Sequence, residues 1–131
     1  MDQTSLGEIV EAGWQRVRED GRVRTELLEV AYAEPRLREL FPWTGMGELH
    51  FSGCTEHPWT WNIPYILPVA GGTYCVAGPR RTEMVGRVAT AQQAVALVVS
   101  RLPPGLVPVF VGDQEELAAS GETRRPEPND R

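Results

Sequence analysis

The period of the hydrophobic pattern changes twice along this chain, and this limits the fold more than any other feature. Up to about residue 40, apolar side chains recur three and four residues apart. Leu6, Ile9, Val10, Gly13, Trp14 and Val17 form one stripe, and Leu27, Leu28, Ala31 and Tyr32 form a second. That spacing is one face of a helix. From Glu48 the spacing drops to two, in Leu49-His50-Phe51-Ser52 and again in Trp61, Ile63, Tyr65, Leu67 and Val69, which is the period of a strand. After Thr90 the helical spacing returns with Ala94, Val95, Leu97, Val98 and Leu102. Helices, then strands, then a helix is the order of an α+β fold with an antiparallel sheet.

Punctuation residues set the expected boundaries. Thr4 or Ser5, with Glu8 three residues past Ser5, predicts a capped first helix that ends at Asp20-Gly21. Thr25 is the expected cap of a second helix, which Glu34-Pro35 closes. Pro35 opens a third helix reaching Leu40, and Pro42 stops it. Gly45 and Gly47 mark a turn before the sheet. The strand from Thr60 to Val69 carries Pro64 and Pro68, which predicts an edge or bulged strand.

Gly71-Gly72 is a hairpin signal, followed by strands Thr73–Ala77 and Glu83–Ala89 with a loop at Gly78-Pro79-Arg80-Arg81. Thr90 caps a helix running from Ala91 to Leu102. Val107, Val109 and Val111 suggest a short last strand. The strands should form a meander of four or five, covered by the C-terminal helix, with the N-terminal helices alongside. Residues 1–112 read as a single domain. Residues 113–131 read as a polar, flexible tail, with a helical turn at Glu115–Ala119 and disorder from Gly121.

Composition removes several function classes. All 13 basic residues are arginine and the chain has no lysine, so Schiff-base chemistry and phosphate-binding lysines are excluded. A net charge of -5 argues against general nucleic-acid binding. No apolar run approaches the roughly 20 residues that span a bilayer, and Met1-Asp2-Gln3-Thr4-Ser5 has no secretory character. Cys54 and Cys75 are too few for a disulfide scaffold, so a cytoplasmic protein with reduced thiols is expected. The clustered Arg16, Arg18, Arg22 and Arg24 lie among Glu11, Glu19, Asp20 and Glu26 and read as a salt-bridged surface.

The densest chemical segment runs from His50 to Trp61. Cys54, Glu56 and His57 match no standard metal spacing, and neither a metal nor a cofactor is expected. Ser52 or Cys54 as a nucleophile would need His50 or His57 as base, with Glu56 or Asp113 behind it. Cβ atoms of residues i and i+2 in a strand stand about 7 Å apart, and no nucleophile elbow is present. General acid–base work by His50, His57 or Glu56 in an aromatic pocket is a further option. The remaining reading is a binding surface built from Trp43, Cys54, Trp59, Trp61 and Tyr65, with Trp59 and Trp61 either core or contact residues.

Three stretches carry a resemblance. They are Ala33-Glu34-Pro35-Arg36-Leu37-Arg38-Glu39-Leu40-Phe41-Pro42-Trp43, then Leu49-His50-Phe51-Ser52, then Thr90 to Val99 with Arg101-Leu102-Pro103-Pro104-Gly105. From Leu6 to Gly112 the chain is similar to a family of small actinobacterial proteins of uncharacterised function associated with natural-product biosynthesis. The resemblance implies an accessory protein of a specialised-metabolite pathway and carries no catalytic residues. The expectation is binding of a small aromatic or peptidic metabolite, or of a partner enzyme. A small tailoring enzyme is the alternative, and an immunity-type inhibitor the third reading. No nucleic-acid or membrane partner is expected, and the sequence leaves a homodimer open.

Overall fold

The computed structural model describes residues 3–60, 62–80, 83–104 and 109–124, with backbone alone for 3–5 and 120–124. Three helices come first: α1 (Gln3–Asp20), α2 (Thr25–Ala33) and α3 (Pro35–Arg38). Five strands follow: β1 (Phe41–Gly45), β2 (Glu48–Ser52), β3 (Tyr65–Val69), β4 (Thr73–Ala77) and β5 (Met84–Val88). Then come α4 (Ala91–Val99) and α5 (Gln114–Arg124). The strands form one sheet in the order β1-β2-β3-β4-β5, and every neighbouring pair is antiparallel. This is the α+β meander expected from the hydrophobic periods.

Leu49 and Phe51 of β2, Ile66 of β3 and Tyr74 and Val76 of β4 are buried with Trp14 of α1, Leu27, Leu28 and Ala31 of α2, and Ala94, Val95 and Val98 of α4. Each of these strand residues alternates with one that faces the other way, so the opposite sheet face is free to carry a site. The α4 helix packs on β3, β4 and β5, and α1 packs against β1. Thr90 caps α4 by accepting from the Gln93 backbone N–H, while the Gln93 side chain accepts from the Thr90 N–H.

Several boundaries differ from the sequence reading. Gln3 already lies in α1, so Thr4 and Ser5 are inside the helix and not its caps. Arg24, not Thr25, holds the N-cap of α2, and no side chain bonds there. Its guanidinium has another task. It donates to the carbonyls of Thr73 at 2.9 Å and Val69 at 2.7 Å and covers the Tyr74 ring. One member of the expected salt-bridged surface is therefore a half-buried clamp on the β3–β4 hairpin.

The third helix stops at Arg38, and Phe41-Pro42-Trp43-Thr44-Gly45 is a strand where the sequence suggested a helix stop and a turn. β1 is the first strand of the sheet, where a proline's missing donor is tolerated. β3 is central and not an edge, and it starts only at Tyr65. Pro64 and Pro68 flank its one register pair with β2, Leu49↔Ile66. Residues 105–108, including Val107, lie outside the described residues. Phe110 makes one isolated parallel bridge with Cys54. The stretch read as a tail contains the 11-residue α5, and residues 125–131 lie outside the described residues. No helix among the described residues is long and apolar enough to cross a membrane.

Candidate functional site

The face of the sheet away from the helices carries Glu48, His50 and Ser52 from β2, since these alternate with Leu49 and Phe51. Register then decides the neighbours. Trp43 of β1 stands directly opposite His50. The Leu49↔Ile66 pair sets Tyr65 of β3 beside His50 on its other side. The three rings therefore stand in a row across three strands. Trp43 and His50 are stacked with centroids 4.0 Å apart, and His50 and Tyr65 with centroids 4.4 Å apart. Both faces of the His50 ring are covered by aromatic partners, and the residue is buried.

Along the ring edge, His50 Nε2 lies 2.9 Å from Oε1 of Glu48, which is also buried. A carboxylate removed from water needs such a partner. The contact also fixes the orientation of the imidazole. Glu48 was not among the residues singled out from the sequence. Its signal was the two-residue spacing from His50, which puts both on one strand face.

The run of rings continues outward. Trp59 stacks on Trp43 at 5.5 Å and on Phe41 at 5.7 Å. His57 then stands edge-on to Trp59, at 6.0 Å and 88°. Exposure rises along this run. His50 and Tyr65 are buried, Trp43 and Trp59 are half-buried, and His57 is exposed. The two histidines of the expected acid–base set are thus joined through Trp59 and Trp43. The Glu56 side chain is exposed as well.

Ser52, Cys54 and Thr60 shape the loop that carries Trp59. The Ser52 hydroxyl accepts from the backbone N–H of Cys54 at 3.0 Å and of Thr60 at 3.3 Å, and Thr60 Oγ1 accepts from the Gly53 N–H at 2.9 Å. Cys54 is fully buried, and its thiol points at the Glu56 and Pro58 carbonyls. In these positions Ser52 and Cys54 satisfy backbone groups of a turn. Cys75 is also a free, buried thiol, two strands away on β4. Trp61 lies outside the described residues. Among the described residues, no three His, Cys, Asp or Glu side chains come together as metal ligands.

No curated protein and no solved structure matches the chain. Residues 8–113 match a family of unknown function, and that span takes in most of α1, all of α2 to β5 and α4, and every ring of the run described above. The chain belongs to the family of unknown function DUF6193.

Proposed function

We propose that this chain is an accessory binding protein of a specialised-metabolite pathway in the cytoplasm. It holds a small aromatic or peptidic metabolite, or an aromatic side chain of a partner enzyme, at the Trp59 end of the ring run. The pathway setting comes from the sequence resemblance. The binding reading is supported by the gradient of exposure along the run. The inner rings are packed on each other, while half-buried Trp59 and exposed His57 meet at a right angle in solvent. Aromatic groups set in this way are favoured contact residues. Titration with small aromatic acids and amines, and with short aromatic peptides, followed by tryptophan emission, tests the proposal. A response is expected in the wild type and not in Trp59→Ala. The same response in both proteins, or none in the wild type, overturns it.

The Glu48–His50 pair favours a second reading, a small tailoring enzyme using histidine and carboxylate acid–base chemistry. A carboxylate that fixes an imidazole is a usual arrangement for proton transfer. With both ring faces covered, a substrate would have to approach the ring edge of His50. Turnover that is lost in His50→Gln, with metabolite binding retained, would establish this reading over the first.

A further inference from the structure

Six hydrogen bonds tie the Trp59 loop to the segment that leads into α5. The Phe110 N–H donates to the Gly53 carbonyl at 2.9 Å. The Thr55 N–H donates to the carbonyls of Phe110 at 3.1 Å and Gly112 at 3.0 Å. The Glu56 N–H donates to the Gly112 carbonyl at 2.9 Å, and the Gly112 N–H donates back to Thr55 Oγ1 at 3.0 Å. The Gln114 N–H, at the first residue of α5, donates to the Pro58 carbonyl at 2.9 Å. The accepting carbonyl of Pro58 is one peptide bond from Trp59.

Gly112 makes this arrangement possible. Its φ is +138°, and a Cβ there would stand 2.6 Å from Glu116 Oε1 and 2.7 Å from the Phe110 ring. α5 is anchored at the same point. Asp113 Oδ1 accepts from the Glu116 N–H at 2.8 Å, and Glu116 Oε1 accepts from the Asp113 N–H at 3.0 Å.

We propose that Phe110–Gln114 is a strap that positions the His57–Trp59 corner, so that the state of α5 controls the geometry of the binding site. Thr55, Gly112 and Gln114 are its positioning residues. The consequence for function rests on the reading of that corner as a binding site, whereas the mechanical link does not. Because coupling free energy is reciprocal, a molecule that engages α5 acts on the corner, and a molecule in the corner acts on α5.

The test uses the ligand-free full-length chain labelled with 5-fluorotryptophan, each signal assigned by a tryptophan-to-phenylalanine substitution. Gln114→Pro removes one N–H donor at a helix position that suits proline. Thr55→Val removes the hydroxyl acceptor with little change of shape. In both variants the Trp59 fluorine signal is expected to shift or broaden while the Trp14 signal stays in place. A Trp59 signal unmoved in both variants overturns the proposal. Amide exchange in the wild type decides independently of any variant's folding. Amides of Thr55, Glu56, Phe110, Gly112 and Gln114 are expected to open as one unit, and exchange of Gln114 by itself overturns the proposal. If the strap passes both tests and no aromatic ligand binds, the binding reading fails and the strap stands.

Discussion

Gly78 lies against the ring of Tyr65, so close that a Cβ at residue 78 would stand 2.8 Å from Cε1 and 2.9 Å from Cδ1. The φ of Gly78 is +98°, outside the range that a side chain tolerates. Gly78→Ala therefore combines backbone strain with overpacking of the ring stacked on His50. A loss of about 2–4 kcal/mol is expected, read as a lower urea midpoint. A variant with the wild-type midpoint would show that the ring moves aside freely.

Glu48 and His50 should be energetically coupled. Replacing one member leaves the other buried without this contact, at a cost of about 1–3 kcal/mol. A double-mutant cycle of Glu48→Gln and His50→Gln is expected to give a coupling of at least about 1 kcal/mol. Additive losses would mean that the 2.9 Å contact contributes nothing to stability.

Met46 occupies the β1–β2 turn with φ +56° and is 86% exposed. A residue without Asn or Gly chemistry is disfavoured there. Met46→Asn should raise stability by about 0.5–1 kcal/mol. A thermal melt showing a fall would reveal a contact that the exposed thioether makes.

The Tyr74 hydroxyl is buried and has no hydrogen-bond partner among the described residues. Tyr74→Phe removes an uncompensated polar group and keeps the ring under Arg24. Stability should be unchanged or higher by up to about 1 kcal/mol. A marked loss in chemical denaturation would mean that the hydroxyl is satisfied in solution.

The α1–α2 contact predicts two limbs of a pH–stability profile. Hydrogen bonds from Gln15 and then Tyr32 hold the Glu11 carboxyl below the ordinary carboxylate range, and the bond to Glu11 pushes the Tyr32 phenol above its own. A lowered acid contributes stability above its unfolded pKa, about 4.3, that disappears as pH falls through the folded value. A raised phenol contributes stability below about pH 10 that disappears as pH rises through its folded value. Glu11→Gln should flatten both limbs. An unchanged acid limb in urea melts between pH 2 and 5 would show that Glu11 does not take part.

Sequence alone marked the parts of this fold whose causes are local. Thr90 as the cap of α4, and Gly71-Gly72 at φ +86° and +84°, are read from single residues and their neighbours. β1 was hidden because Pro42 and Gly45 look like helix and strand breakers until the sheet edge is known. Trp43, His50, Trp59 and Tyr65 were each visible as candidates. Their stacking was not, because it depends on the β1–β2 and β2–β3 registers. Glu48 is not legible as a site residue because a charged residue opening a strand usually faces water, whereas this one is buried against His50. The strand read from Thr60 starts only at Tyr65, and the bonds of Thr60 to Ser52 and Gly53 tie it into the loop that carries Trp59.

The Arg24 clamp has a consequence for how the molecule can be divided. The bonds to Val69 and Thr73 span 45 and 49 positions of sequence. The helical hairpin thus closes the mouth of a strand hairpin made much later in the chain. The first forty residues are therefore no transplantable module. A fragment cut between them and the sheet would strip the β3–β4 turn of its two side-chain donors, and the two pieces would regain a folded sheet only by reassociating.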